Sequence, residues 1–272
     1  MNEQAEDTGL AYIDSCDGLT LLMIHGFPFS SAMWEPQVED LSSVVRVVAP
    51  DLRGHGRSEA VPGPYTMEML ADDCVGLLDY LAIFGPVVVC GLSMGGYVAL
   101  ELFRQIPERI AGLILVSTRA AADTAVAKAN RDKMISLVEE EGVSPIAEAM
   151  LPKLLSSHTL AEDEEVVEFV QEMMEATSAA GVMGALAAMR DRPDSTPTLA
   201  GIDVPALIIH GADDQLIPLA EAKAMRSQIP HARFVVVPEA GHIPNLEQMD
   251  VFNDAVTDFL LELEGGDGHH HH

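Results

Sequence analysis

Positive charge is scarce in this sequence. Only 15 residues are Lys or Arg, against 43 Asp and Glu, and the 272 residues carry a net charge of −28. Proteins that bind nucleic acid neutralise phosphates with clustered Lys and Arg, and a protein held on anionic lipid also needs a basic cluster. The composition therefore argues against nucleic acid and against a membrane surface as partners. Because 48% of the residues are hydrophobic, the acidic excess coats a globular protein and does not mark a disordered one.

Cysteines and long apolar runs are also few. Cys16, Cys74 and Cys90 are far apart, which gives no disulfide framework and no spacing typical of metal ligands. No apolar run approaches the roughly 18 residues that a transmembrane helix needs. The acidic segment 1–8 has neither the cationic start nor the apolar stretch of a signal peptide. We therefore expect a cytoplasmic protein with no metal site.

Short apolar runs alternate with longer helical patterns along most of the chain. This alternation is typical of an α/β fold with a mostly parallel central sheet flanked by helices. The runs predicted to be strands are 19–25, 44–50, 86–90, 110–117, 205–210 and 233–237. The helices predicted in the same part of the chain are 67–81, 94–103, 219–227 and 250–263.

The alternation stops between Arg119 and Thr198, where the pattern predicts helices alone, at about 124–141, 144–155, 163–177 and 179–190. We interpret this segment as a helical cap inserted between two strands. Six methionines lie in it: Met134, Met150, Met173, Met174, Met183 and Met189. Methionine is an adaptable apolar side chain, so these residues either fill contacts between helices or line a deformable pocket over the sheet.

The domain organisation follows from that insertion. Residues 1–118 and 199–264 are expected to form the α/β core, and residues 119–198 the helical cap. The tail 265–272 ends in four consecutive histidines and is typical of a purification tag, so it carries no argument about the fold.

The strongest chemical signal is the G-x-S-x-G pattern from Gly91 to Gly95, placed between a predicted strand and a predicted helix. A sharp strand-to-helix turn holds its serine in a strained conformation, and the glycines leave room for neighbouring backbone. The serine also lies at a helix N-terminus, which favours developing negative charge. This pattern predicts Ser93 as a nucleophile.

A serine hydroxyl needs a base, and the base needs an orienting acid. Asp213 and Asp214 follow the predicted strand 205–210, and His242 follows the strand 233–237. Catalytic groups collect at the carboxyl ends of parallel strands, so Ser93, one of the two aspartates and His242 are expected to meet there. The residues alone leave the choice between the aspartates open.

An oxyanion hole needs two backbone N–H donors, each of which contributes roughly 3 kcal/mol to stabilising the transition state. Met94, the residue after the nucleophile, is expected to supply one. Phe27, in the loop after the first long apolar run, is expected to supply the other, because the adjacent Pro28 has no N–H.

Together these motifs resemble the α/β-hydrolase fold family over nearly the whole chain. The matching segments are His25–Pro28 followed by Trp34, the turn from Asp51 to Ser58, Gly91–Gly96, the G-x-x-D-x-x-x-P pattern from Gly211 to Pro218, and the G-H-x-P-x-x-E pattern from Gly241 to Glu247. The resemblance selects Asp214 as the acid, with Asp213 as the alternate, and implies pairing of Arg53 with a nearby acid. The family starts with an antiparallel strand pair, of which only 10–14 is recognisable here, so the first strand is expected to be short or lost.

Within the family, the segment from Pro62 to Leu77 and the segment from Cys90 to Gly96 are similar to 3-oxoadipate enol-lactonases. The cap also resembles small bacterial carboxylesterases and acyl-homoserine lactonases of this fold. The resemblance implies a serine hydrolase that cleaves carboxylic esters or lactones through an acyl-Ser93 intermediate, with no cofactor. The alternatives are a non-catalytic ligand-binding or signalling member of the fold, or a perhydrolase or acyltransferase. The acidic charge favours neutral substrates, unless a local arginine near the cap offsets it.

Overall fold

The computed structural model describes residues 2–5, 9–15 and 17–266, and one sheet runs through them. Its strands are β1 (Asn2–Ala5), β2 (Leu10–Asp14), β3 (Thr20–Ile24), β4 (Arg46–Pro50), β5 (Val87–Leu92), β6 (Ile110–Val116), β7 (Ala206–Gly211) and β8 (Arg233–Val237). Their order across the sheet is β1-β2-β4-β3-β5-β6-β7-β8. Strands β3 to β8 are parallel, whereas β1 and β2 are antiparallel to their neighbours. The predicted mostly parallel sheet is confirmed.

Helices cover the sheet and fill the connections between its strands. They are α1 (Glu35–Leu41), α2 (Met67–Tyr80), α3 (Met94–Gln105), α4 (Ala125–Glu141), α5 (Ser144–Leu154), α6 (Ser157–Glu162), α7 (Glu164–Glu175), α8 (Ala179–Asp191), α9 (Thr196–Leu199), α10 (Leu219–Gln228), α11 (Pro244–Glu247) and α12 (Met249–Gly266). Among the described helices there is no candidate for a membrane span. Helix α12 runs two residues past the predicted end of the core, and residues 267–272 of the tag-like tail lie outside the described part.

The strands are nearly continuous apolar runs because both faces of the sheet are buried. Along β3, Leu22 and Ile24 pack into one apolar cluster together with α2, α3 and α10. Leu21 and Met23 point to the opposite face and join a second cluster with α1 and α12. Successive side chains of a strand alternate between the two faces, so one run supplies both cores.

The N-terminal strand pair is present, and its first strand is short, which is one of the two outcomes that the sequence left open. Strand β1 pairs antiparallel with β2, with Asn2 opposite Ile13 and Ala5 opposite Leu10. Its sequence, NEQA, has no apolar alternation, so the pattern that reveals the other strands is absent there. Cys16 lies outside the described residues, whereas Cys74 and Cys90 are buried free thiols.

Five helices, α4 to α8, lie between β6 and the short helix α9 that leads to β7. Helix α4 packs against α8, and α5 against α7. Most of these helices begin at a residue whose side-chain oxygen accepts a hydrogen bond from a first-turn N–H, an arrangement that stabilises a helix start. The capping residues are Thr124, Ser156, Asp163 and Ser178. The sequence pattern predicted four of these helices and missed α6, which has only six residues.

Candidate active site

Ser93 lies at the sharp turn between β5 and α3. Its backbone has φ 55° and ψ −112°, a left-handed conformation that residues other than glycine rarely adopt. A Cβ atom on Gly95 would lie 2.1 Å from the Ile24 carbonyl oxygen, and one on Gly91 would lie 2.1 Å from the Gly95 carbonyl oxygen. The turn therefore requires glycine at both positions because backbone atoms fill the space beside them.

The carbonyl oxygen of Ser93 anchors the turn to the next strand. It accepts a hydrogen bond of 2.8 Å from the Thr118 hydroxyl, just beyond β6. The Ser93 N–H donates to the Val116 carbonyl at 2.8 Å. Both bonds hold the strained residue against the end of β6.

His242 and Asp214 come from the loops that follow β8 and β7. His242 Nδ1 lies 2.8 Å from Asp214 Oδ2, and both side chains are buried. A carboxylate can only accept a hydrogen bond, so Nδ1 carries the proton and Nε2 of the neutral ring is a free acceptor. The other carboxylate oxygen, Oδ1, accepts from the N–H groups of Leu216 and Ile217, each at 2.9 Å.

These contacts also set the charge state of Asp214. Burial alone would raise its pKa, but the adjacent His242 and the Ile217 N–H outweigh burial and hold the pKa below its usual range. Asp213 differs, since it is exposed and its side chain accepts no hydrogen bond from the described residues. Of the two candidate aspartates, the structure brings Asp214 to His242.

His210 is a buried neighbour of this pair. Its Nε2 donates to the Ile217 carbonyl at 2.8 Å and lies 3.4 Å from Asp214 Oδ2. Burial lowers the pKa of His210, so the ring is neutral near pH 7. Its hydrogen bond to Ile217 ties the Asp214 loop to the end of β7, so His210 has a structural role.

Ser93 and His242 line one cavity of about 590 Å³, between the sheet and the inserted helices. Phe27, Leu216 and Ile217 line it as well. No hydrogen bond joins the Ser93 hydroxyl to His242 within the described part of the chain. Such bonds are often long in enzymes without substrate and tighten on binding. The described residues contain no group of three or more His, Cys, Asp or Glu side chains placed to hold a metal ion.

Of the two expected oxyanion donors, Phe27 lines this cavity and Met94 directly follows Ser93. Within the described residues, neither the Phe27 N–H nor the Met94 N–H has an acceptor. Met94 begins α3, where the first N–H groups have no partner in the helix. The Phe27 loop is held by buried His25, whose Nδ1 donates to the Gly26 carbonyl at 2.8 Å and whose Nε2 accepts from Leu52 N–H at 2.9 Å.

Five of the six methionines of the insertion divide between the two interpretations that the sequence left open. Met134, Met150 and Met189 line the cavity. Met173 and Met174 are buried in the apolar cluster on the other face of the sheet.

The remaining motif residues are structural. Arg53 forms a bidentate ion pair with Asp73, with both N···O distances at 2.9 Å, which is the pairing expected for it. Asp51 closes its own turn by accepting from the Arg57 N–H, and it joins that turn to another segment by accepting from the Ser31 N–H. Trp34 is buried and packs near Phe252.

Glu247 has a larger role than the sequence suggested. Its Oε2 accepts from Gly241 N–H at 2.9 Å and Ile243 N–H at 3.1 Å, on both sides of His242. Its Oε1 accepts from Ser156 N–H at 2.7 Å and from the Thr159 hydroxyl at 2.9 Å. The sequence signal was the glutamate of the G-H-x-P-x-x-E pattern, which does not show that its partners come from the insertion.

Comparison with known proteins agrees with this architecture. A sequence model of the alpha/beta hydrolase family matches residues 21–255. The chain belongs to the alpha/beta hydrolase family. The fold, with its parallel sheet and its serine turn between β5 and α3, is therefore the α/β-hydrolase fold.

Individual members of the alpha/beta hydrolase family are similar over almost the full length. A 3-oxoadipate enol-lactonase from Acinetobacter baylyi is 32% identical over 254 residues, which cover 93% of each protein. The structure of a thermophilic esterase from Thermogutta terrifontis with malate bound is 42% identical, with a TM-score of 0.92 and 93% of each chain covered. An enol-lactonase from Burkholderia xenovorans is 32% identical, with a TM-score of 0.86, and the match covers 93% of this chain and 96% of the other.

Proposed function

We propose that this carboxylic ester hydrolase cleaves esters or lactones through an acyl-Ser93 intermediate, with His242 as the base and Asp214 as the acid that orients it. The observation that carries the proposal is the contact of 2.8 Å between His242 Nδ1 and Asp214 Oδ2 beside a cavity that Ser93 also lines. The esterase and enol-lactonase relatives support the reaction class.

The first half of the reaction forms the acyl-enzyme. Nε2 of neutral His242 takes the proton of the Ser93 hydroxyl as its oxygen attacks the substrate carbonyl carbon. Asp214 stabilises the imidazolium that results. The carbonyl oxygen becomes an oxyanion, which accepts hydrogen bonds from the N–H groups of Phe27 and Met94. His242 then gives its proton to the departing alkoxide, and the acyl group stays on Ser93.

The second half releases the acid. His242 takes a proton from a water molecule, whose oxygen attacks the acyl carbonyl carbon, and the same N–H groups bind the new oxyanion. The bond to Ser93 breaks as His242 returns the proton to the serine oxygen. For a lactone the alcohol and the acid leave as one hydroxy acid.

We propose further that residues 119–198 act as a cap that shapes the acyl pocket. Met134, Leu137, Ile146, Met150 and Met189 from these helices supply the apolar part of the cavity wall. Unbranched methionine side chains adapt to different acyl groups. Acyl-homoserine lactones are among the lactones that this wall could accept.

Kinetic constants across 4-nitrophenyl esters of increasing acyl length and a set of lactones test the proposal. We expect turnover that Ser93→Ala reduces by roughly 10⁴-fold or more while thermal unfolding stays near that of the wild type. Ser227→Ala, an exposed change on α10, is the matched control and is expected to keep wild-type rates.

Two other outcomes would favour the alternative functions. Saturable binding of the esters and lactones without turnover would favour a non-catalytic binding protein. Diversion of the acyl group to hydrogen peroxide or an added alcohol, in preference to water, would favour a perhydrolase or an acyltransferase.

A further inference from the structure

The cavity beside Ser93 has the opposite charge balance to the rest of the protein. Four of its lining residues are cations: Arg119, Arg131, Lys133 and Lys153. The only acidic residue among the lining residues is Asp123. The whole chain, in contrast, has 43 acidic residues and only 15 Lys and Arg. Positive charge is therefore concentrated where the substrate binds.

The Asp123 carboxylate is already occupied by two arginines. Arg131 Nε lies 3.0 Å from Asp123 Oδ2, and Arg192 is paired with Oδ1. The Arg192 guanidinium also lies 4.0 Å from the centroid of the Tyr97 ring. This paired group leaves no carboxylate on the cavity wall for Arg119.

Arg119 lies on the cavity wall and has no ion-pair partner among the described residues. No ion pair or side-chain hydrogen bond joins Arg119 to any residue of the described part, and its Nε is buried without an acceptor. It follows Thr118, whose hydroxyl binds the Ser93 carbonyl oxygen at 2.8 Å. The Nη groups of Arg119 likewise have no acceptor among the described residues, and the residue lines the cavity. A cation that is partly buried without a partner is poorly stabilised, so a ligand carboxylate that contacts these Nη groups would supply the missing acceptor.

We propose that Arg119 is a carboxylate-binding subsite of the cavity, and that the physiological substrate is an ester or lactone that carries a carboxylate group. This inference rests on the proposed function of Ser93, and it reverses the preference for neutral substrates that the net charge suggested. A guanidinium offers parallel N–H donors that match the two oxygens of a carboxylate. Lys133 and Lys153 are exposed at the cavity and attract the anion against the acidic surface.

Matched pairs of chromogenic esters test the subsite. Mono-4-nitrophenyl esters of succinic, glutaric and adipic acid are each compared with the uncharged 4-nitrophenyl ester of the same chain length, after subtraction of spontaneous hydrolysis. We expect the wild type to have a higher kcat/KM for the anionic ester of at least one pair. Arg119→Gln is expected to lower the anionic-to-neutral ratio of kcat/KM by about 10- to 100-fold, the range of a charge-assisted hydrogen bond. Arg119→Lys is expected to restore only part of the ratio, because lysine keeps the positive charge but lacks the parallel N–H donors of a guanidinium.

Lys128→Gln is the control, since Lys128 lies on α4 with its side chain exposed and is not part of the cavity wall. It removes the same charge from the inserted segment 119–198 and is expected to keep the wild-type ratio. A ratio that falls equally in Lys128→Gln and Arg119→Gln would show a general field effect and would overturn the subsite, as would a wild type without preference for any anionic ester.

A binding measurement separates failure of the subsite from failure of the proposed function. Calorimetric titration of Ser93→Ala with glutarate and adipate reports the subsite without turnover, and the added Arg119→Gln change is expected to abolish the binding. Binding without hydrolysis would keep the subsite and contradict the hydrolase. Hydrolysis with neither diacid binding nor anionic preference would keep the hydrolase and contradict the subsite.

Discussion

The backbone N–H of His242 donates a hydrogen bond of 2.8 Å to the carbonyl of Leu154, the last residue of α5. The loop that carries the proposed base is thus attached directly to the inserted helices. Glu247 strengthens this attachment, because its carboxylate binds the N–H groups on both sides of His242 and also binds Ser156 and Thr159 of the insertion. The position of His242 therefore depends on the packing of the insertion as well as on the sheet.

The first prediction concerns this attachment. In Glu247→Gln, one of the two carboxylate oxygens becomes an NH₂ group, which donates hydrogen bonds and cannot accept them. Each of the two oxygen positions faces a backbone N–H donor, so the NH₂ group lies against a donor in either orientation of the amide. Leaving buried N–H groups without an acceptor costs about 1–3 kcal/mol each. We expect a loss of about 2–4 kcal/mol in the free energy of unfolding, measured by urea titration, and a fall in kcat of at least tenfold.

Asp250→Asn removes an exposed carboxylate from the start of α12 and serves as the control for Glu247→Gln. It is expected to change the unfolding free energy by no more than about 0.5 kcal/mol. Wild-type stability and kcat in Glu247→Gln would show that His242 is positioned without this carboxylate.

The second prediction distinguishes the two adjacent aspartates. Asp214→Asn keeps the shape of the side chain but removes the charge that stabilises the His242 imidazolium and fixes its tautomer. We expect kcat on 4-nitrophenyl butyrate to fall by about 10²- to 10⁴-fold. Asp213→Asn, at an exposed side chain, is the matched change and is expected to stay within about twofold of the wild type. A larger loss in Asp213→Asn would refute the assignment.

The third prediction concerns the space beside Ser93, the proposed nucleophile. In Gly95→Ala the new Cβ atom would overlap the Ile24 carbonyl oxygen, so the Ser93 turn and the end of β3 must move apart. We expect a loss of about 3 kcal/mol or more in unfolding free energy, together with loss of activity, because Ser93 and the Phe27 loop separate. In Gly85→Ala the added atom meets nothing within 4 Å, so wild-type stability and activity are expected. Equal stability of the two variants in thermal unfolding would contradict the close approach.

The fourth prediction concerns acid stability. Burial lowers the pKa of His25 to about 4 and that of His55 to about 3, and the two rings lie 5.1 Å apart. In the unfolded chain both titrate near 6.5. Between these values the unfolded state binds more protons than the folded state, so the free energy of unfolding falls as the pH falls below about 6.5. At pH 5 each histidine accounts for a loss of about 2 kcal/mol relative to pH 7.5.

Urea titrations at pH 7.5 and pH 5 measure this loss. His55→Gln is expected to reduce the difference between the two pH values by about 2 kcal/mol, because one of the two protons is no longer taken up on unfolding. His158→Gln removes an exposed histidine and controls for the change in net charge. The same pH difference in His55→Gln and the wild type would show that His55 does not carry the effect.

Much of this architecture could be predicted because its signals are local. The glycines around Ser93 lie between an apolar run and a helical pattern in the sequence. The motif and the predicted elements therefore indicate the same strand-to-helix turn. The order of the serine, the aspartate and the histidine follows the order of β5, β7 and β8 for the same reason. Strand β1 gave no such signal, because backbone pairing at a sheet edge needs no apolar pattern.

The charge of the cavity could not be predicted in this way. Arg119, Lys133 and Lys153 are separated along the chain and come to one wall only because α4 and α5 fold over the end of β6. The net charge of −28 does not tell where the charges lie in the fold. It therefore suggested a neutral substrate, although the cavity wall has more cations than anions. The partners of Glu247 were hidden for the same reason, since Ser156 is 91 residues away in sequence.

Covalent labelling shows which side chain is the nucleophile, the role proposed for Ser93. Diethyl 4-nitrophenyl phosphate transfers a phosphoryl group to an activated serine and releases nitrophenol, and peptide mass spectrometry then locates the adduct. We expect one phosphoryl group per chain, on the peptide that contains Ser93, with loss of esterase activity in proportion and no adduct in Ser93→Ala. Labelling of another residue, or an unlabelled Ser93 in an enzyme that has lost its activity, would contradict the proposed role.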